Sequence, residues 1–177
     1  MSEITSVVIN QVAIEEEEGL LPELIQLLQD TVESGASVGF LPPLSAEEAQ
    51  QYWHTVFQAV AQKECFLLVA REDGKVVGSV QLGLATRANA LHRAEVQKLF
   101  VLQSQRRRGT GKRLMEAIEA IARENGRTLL FLDTREGDVS ELLYQKIGYQ
   151  KVGVIPFYAQ SASGQLDGTV FYYKLLA

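Results

Sequence analysis

The chain has 177 residues, 46% of them hydrophobic, and a formal net charge of −5, which suits one globular domain over residues 1–177 and argues against nucleic-acid binding. No apolar run reaches the roughly 18 residues of a membrane span, and the acidic N-terminal stretch lacks a basic-then-apolar leader, so neither membrane nor export is expected. One cysteine, Cys65, and two scattered histidines exclude an internal disulfide, offer no zinc-like grouping and point to a reducing, cytoplasmic setting with no metal.

In chain order, Ile4 to Val12 reads as a first strand. From Glu15 to Glu33, Leu20, Leu21, Leu24, Leu27, Leu28 and Val32 recur at helical spacing. Residues 35–43, Gly-Ala-Ser-Val-Gly-Phe-Leu-Pro-Pro, form a loop. Ser45 and Glu48 make a capping-box pattern that opens a second helix through Ala61. The apolar period then changes. Phe66 to Arg71 is a strand, Asp73-Gly74 a tight turn, and Lys75 to Leu84 the partner strand. Cys65, at the start of that apolar run, reads as buried packing. Arg93 to Val101 is a further strand, and Lys112 to Glu124 an amphipathic helix capped by Asn125-Gly126. Thr128 to Asp133 is an apolar strand ending in an acid. Val139 to Lys146 is a short helix stopped by Gly148, and Tyr149 to Val154 and Thr169 to Leu175 close the chain as strands. The order is β-α-α-β-β-β-α-β-α-β-β, without repeats or linkers.

The stretch Arg106-Arg107-Arg108-Gly109-Thr110-Gly111 lies between the Arg93–Val101 strand and the helix after it. Five of the 17 basic residues fall between Arg106 and Arg113. A helix start exposes unpaired N–H groups at the positive end of its dipole, which makes an anion site, and glycines at 109 and 111 allow close approach. A local basic spot on an acidic chain suits a small polyanion. A P-loop would need glycine at Arg106 and Ser or Thr at Arg113, and a dinucleotide fingerprint would need glycine at Leu114. Both are excluded.

The Arg106-x-x-Gly109-x-Gly111 pattern resembles the pyrophosphate loop of the GCN5-related N-acetyltransferases. Arg93-Ala-Glu-Val-Gln-Lys-Leu-Phe-Val101 resembles that family's fourth strand, Leu129 to Thr134 its fifth, and Leu142-Leu-Tyr-Gln-Lys-Ile-Gly-Tyr149 its "LYxKxGF" segment, all in the right order. The resemblance implies an α+β fold with α/β/α layers, a mixed, mostly antiparallel central sheet of about seven strands, and four flanking helices. It further implies acetyl-CoA as cosubstrate, direct transfer to an amine without an acyl-enzyme, and, as in many relatives, a homodimer. Residues 35–40, Asn89 to Lys98, Leu132 to Thr134 and the tail from Val152 through Gly164 to Tyr172 resemble the tabtoxin-resistance branch. That likeness implies acetylation of a small amino-acid-like β-lactam toxin or a related amine.

Acyl transfer from a thioester to an amine sets three tasks: the amine must lose a proton, the carbonyl oxygen must be stabilised, and the thiolate benefits from a proton. By resemblance, acetyl-CoA would lie where the fourth and fifth strands splay. Backbone groups of Leu99, Phe100 and Val101 would pair with the pantetheine, and Arg106, Arg107, Arg108, Gly109, Thr110 and Gly111 would hold the diphosphate. Glu95 and Asp133 are the base candidates and Tyr144 the acid candidate. The structural alternatives are Glu95 pairing with Arg93 or Lys98, Asp133 binding backbone N–H groups of the following loop, and Tyr144 as a core aromatic. Ser37, Phe40 and Trp53 would form one acceptor wall, Phe157 and Tyr158 the other. His54 and His92 read as structural or surface residues. Two other functions fit the same features: acetylation of a peptide or protein amine, and a non-catalytic acyl-CoA sensor.

Overall fold

The computed structural model describes residues 7–176. Its elements are β1 (Val8–Gln11), α1 (Glu17–Glu33), α2 (Ala46–Ala61), β2 (Cys65–Glu72), β3 (Lys75–Leu84), β4 (Arg93–Val101), α3 (Thr110–Glu124), β5 (Leu129–Arg135), α4 (Ser140–Lys146), β6 (Gln150–Gln160) and β7 (Leu166–Leu175). Of the expected first strand, residues 4–6 lie outside the described residues. One seven-stranded sheet runs in the order β1-β2-β3-β4-β5-β7-β6. Every pair is antiparallel except β4 and β5. The fold is therefore the expected mixed sheet of seven strands with four helices. No helix among the described residues is long and apolar enough to cross a membrane.

Local chemistry accounts for the boundaries. Ser45 Oγ accepts from the Glu48 N–H at 3.2 Å while Glu48 Oε2 accepts from the Ser45 N–H at 3.1 Å, closing the capping box that starts α2. Asp73 and Gly74 both take positive φ, 51° and 78°, as a two-residue hairpin with right-handed strand twist requires.

The sheet separates two cores. On the α1–α2 side, Leu24, Leu27, Leu28, Trp53, Phe57, Leu67, Val69 and Phe100 pack together. On the α3–α4 side, Leu68, Val80, Leu82, Val96, Leu114, Ile118, Leu130, Leu132, Tyr144 and Tyr172 do so. Strand β2 thus buries successive residues on opposite faces, which is why its sequence is continuously apolar. Trp53 corrects one expectation. It is fully buried, donates from Nε1 to the Leu24 carbonyl at 2.8 Å, and meets Phe100 edge-on at 6.2 Å. It cements α1 to α2 and cannot touch an acceptor.

Candidate active site

β4 and β5 pair over only three positions, Arg93 with Leu129, Ala94 with Leu130 and Glu95 with Phe131, and then separate. The cause lies partly in β4. Gln97 is opposite Gln81 and Phe100 opposite Ser79, so Lys98 and Leu99 share the single partner Val80. This is a β-bulge, and Lys98 takes φ 53° to make it. An inserted residue reverses the facing of everything beyond it. Ala94 and Val96 face the α3 core before the bulge, whereas Phe100 faces the α1–α2 core after it. Glu95 and Gln97 therefore lie on the α1–α2 face. On β5, Leu130 and Leu132 face the α3 core, so alternation sends Asp133 and Arg135 to the α1–α2 face as well. Both base candidates lie on the α1–α2 face of the sheet, one from each strand of the divided pair.

Glu95 Oε2 accepts from Gln97 Nε2 at 2.8 Å, so its carboxylate is held by Gln97 rather than by Arg93 or Lys98. Asp133 remains open to solvent at its tip. Loss of hydration raises its pKa, against the opposing pull of the Lys98 ammonium and its own backbone N–H. Burial lowers the pKa of Lys98, and the carboxylates of Asp133 and Glu95 oppose that shift. Lys98 Nζ donates to the Val38 carbonyl at 2.6 Å, and a Cβ on Gly39 would lie 3.4 Å from it. The lysine is thus bonded to the loop between α1 and α2 while it feels the charge of both carboxylates. It was not foreseen as a site residue.

Tyr144 lies on the other face, in the α3–α4 core, with ring centroids 6.0 Å from Tyr149 and 6.1 Å from Tyr172. Burial raises its phenol pKa strongly, the charges of Asp138 and Asp133 add to the rise, and the Ser140 hydroxyl opposes it. The phenol is a neutral hydrogen-bond donor throughout the usual assay range. Asp138 precedes α4, its Oδ1 accepting from the Ser140 N–H at 2.8 Å.

The glycine loop fits a phosphate group, though chiefly through its backbone. Helix α3 begins at Thr110, two residues earlier than its sequence pattern suggests, with Gly109 as N-cap at φ 85°. The first amide to find a helical acceptor is that of Arg113, bonded to the Gly109 carbonyl at 3.1 Å. Among the described residues, the N–H groups of 107–112 have no backbone acceptor. Two of the three arginines are engaged elsewhere. Arg106 donates from Nε to the Val101 carbonyl at 3.2 Å and from Nη2 to Ser34 Oγ at 2.9 Å. Arg108 pairs with Glu72 at 3.2 Å. Arg107 has no such partner among the described residues and takes φ 63°. These contacts leave the Arg106 and Arg108 side chains occupied and the backbone of residues 107–111 as the main anion-facing element. The Thr110 hydroxyl is buried without a partner. A Cβ at Gly111 would touch Leu143 at 3.5 Å and Leu99 and Val101 at 3.9 Å, so this glycine brings the helix start close to β4 and α4.

A cavity of about 210 Å³ is walled by Ser37, Gly39 and Phe40 from the α1–α2 loop and by residues 159–162 of the β6–β7 hairpin, with Arg135 but neither Glu95 nor Asp133 in its lining. Ser37 and Phe40 are thus on the cavity wall. Phe157 and Tyr158 are not. Three residues of β6, Pro156 to Tyr158, bulge out between the Ile155–Thr169 and Ala159–Asp167 pairs. Phe157 is consequently 75% exposed, and Tyr158 packs edge-on against Phe171.

A splayed parallel strand pair with an unpaired helix start beside it defines a class of protein, and comparison supplies the family. The profile of the acetyltransferase (GNAT) family matches residues 23–149. An uncharacterized N-acetyltransferase of the hisH-hisA intergenic region of Azospirillum brasilense is 35% identical over 120 residues, 67% of this chain and 70% of that protein. The IAA acetyltransferase of the same organism is 34% identical over 97 residues, 54% of this chain and 61% of that one. Among solved structures, a ribosomal-protein-alanine N-acetyltransferase from Brucella melitensis superposes with TM-score 0.78 at 22% identity, covering 96% of this chain and 99% of that chain. The yncA protein of Salmonella typhimurium, solved with its cofactor acetyl-CoA, superposes with TM-score 0.78 at 14% identity, covering 97% and 94%. The chain belongs to the GNAT family, and it is an acetyl-CoA-dependent N-acetyltransferase.

Proposed function

We propose that this acetyltransferase acts on a small, amino-acid-like amine, as its likeness to the tabtoxin-resistance branch suggests, by direct transfer. The observation that carries the reading is the division of labour across the β4–β5 divide, with two carboxylates on one face and a buried phenol on the other. Acetyl-CoA, when bound, supplies the activated acetyl group. The 107–111 amides and the Arg107 side chain hold its diphosphate, and backbone groups of Leu99 and Phe100 align its pantetheine. On the α1–α2 face, Asp133 or Glu95 takes the ammonium proton of the acceptor, directly or through water. A raised Asp133 pKa suits a base, because the carboxylate regains hydration cost when it takes a proton. On the other face, Tyr144 donates a hydrogen bond to the departing sulfur. With its pKa well above the ~8.5 of a thiol, it serves as a donor to a developing thiolate rather than as a source of a fully transferred proton.

A cavity of about 210 Å³ has room for a small acceptor. The test is thiol release from acetyl-CoA against a panel of amines: tabtoxinine-β-lactam, free amino acids, polyamines, aminoglycosides and short peptides. Selective turnover of small amino acids or their analogues is expected. Turnover of peptides alone would refute the small-acceptor reading. Tight acetyl-CoA binding without turnover of any amine would replace it with the sensor.

A further inference from the structure

We infer that Arg135 is the carboxylate-recognition residue of the acceptor site and that the acceptor carries its amine and a carboxylate a few atoms apart. The inference rests on the proposed small-amine reading and extends it to a residue with no role in it. Arg135 ends β5 two positions beyond Asp133, on the same face. Along a strand, two residues span about 7 Å. One hydrogen bond from an amine to Asp133, a short carbon spacer and one hydrogen bond from a carboxylate to Arg135 fill that span.

The guanidinium is placed but not satisfied. It has five N–H donors, and Nη1 makes one hydrogen bond, to the Gly35 carbonyl at 3.0 Å. Its acidic neighbours stand off: Asp138 at 3.6 Å from Nη2 and Asp167 at 4.0 Å from Nη1. These distances exceed those of charge-assisted hydrogen bonds, about 2.7–2.9 Å. The two acids hold the cation in the cavity wall without capping its donors. Gly35 fixes its orientation from the α1–α2 loop, and the same loop receives Lys98 through Val38. A planar fork held by one bond, lining a cavity two strand positions beyond an acid that faces the same way, suits bidentate capture of a carboxylate.

The experiment compares matched acceptors: a small amino acid, its carboxamide, and the amine lacking the carboxyl group. The expected wild-type preference in kcat/KM for the acid over the carboxamide is about 10- to 100-fold, the scale of charge-assisted hydrogen bonds. Arg135→Gln should abolish that preference, chiefly by raising KM for the acid. Arg135→Lys, which keeps the charge without the fork, should restore part of it, and a melting curve and acetyl-CoA affinity like wild type would show that both variants are folded. An equal preference in wild type and Arg135→Gln would overturn the inference, as would a wild type indifferent to the carboxyl group. These outcomes separate it from the reading beneath it. If Asp133→Asn with Glu95→Gln left turnover intact while Arg135→Gln lost the acid preference, the assigned bases would fall and the carboxylate site would stand.

Discussion

Gly109→Ala tests whether the loop before α3 works through backbone conformation or through open space. Gly109 is the N-cap of α3 at φ 85° and ψ −1°, a left-handed conformation. A Cβ built there meets nothing within 4 Å. Substitution therefore creates no clash, and its cost is conformational, about 1 kcal/mol for an L-residue held in this region. In a chain of this size that lowers Tm by about 2–4 °C. The same energy bounds the effect on acetyl-CoA. If strain drives the loop out of the arrangement that presents the 107–111 amides, affinity falls by at most about fivefold. Asparagine enters the left-handed region more readily than alanine, so Gly109→Asn should cost about half as much in both measurements. Urea midpoints at constant m-value and calorimetric titration with acetyl-CoA would read these quantities. Conformational control requires the order Gly, Asn, Ala in affinity. If Asn binds more weakly than Ala, side-chain bulk governs the site and the backbone reasoning is refuted.

Four further outcomes are expected. Tyr144→Phe should reduce kcat by about 10²-fold with acetyl-CoA affinity unchanged, and an unaltered kcat would remove the phenol from the chemistry. Trp53→Phe should destabilise the protein by about 1–3 kcal/mol, read as a lower urea midpoint, while KM for the acceptor stays constant; a changed KM alone would return Trp53 to the acceptor wall. The kcat/KM profile should rise with pH through a carboxyl pKa above the ordinary aspartate value, and Asp133→Asn should remove that limb along with most turnover. Because the pKa of Asp133 is raised on folding, its ionised form is disfavoured in the native state. Asp133→Asn should therefore stabilise the fold above the native pKa, the gain vanishing once pH falls below the unfolded value near 3.8, as urea midpoints across pH would show.

The features legible in the sequence were those written in local signals. The Asp73-Gly74 turn, the capping box at Ser45 and the bounds of β3 and β4 each depend on a few adjacent residues, and each lies where its pattern placed it. Glu95, Asp133 and Tyr144 are candidates that the family resemblance offered. What stayed hidden depends on tertiary facing. Trp53 sits on an amphipathic helix, where an apolar stripe reads alike whether it lines a core or a pocket. The Lys98 bulge leaves no mark in composition, yet it decides that Phe100 and Glu95 share a face. Arg135 was passed over because the apolar pattern of β5 ends at Asp133; pairing with β7 continues to Arg135, opposite Thr169. Arg106 and Arg108 looked like ligand residues because charge near an anion site attracts that reading, whereas their partners Ser34 and Glu72 are distant in sequence.

The three-residue seam between β4 and β5 has a thermodynamic consequence. On one side of it stand β1 to β4, on the other β5, β7 and β6, and helix α3 spans from one part to the other. A molecule that bonds to β4 and to the α3 start within that divide acts as a splint between halves that otherwise share few hydrogen bonds. Its binding energy then adds to the cohesion of the native state as RT ln(1 + [L]/Kd), about 2.7 kcal/mol at a hundredfold excess over Kd. Resistance to heat, to proteolysis and to amide exchange along β4 should all follow the concentration of acetyl-CoA, so the lifetime of the folded enzyme becomes a reporter of the acetyl-CoA supply around it.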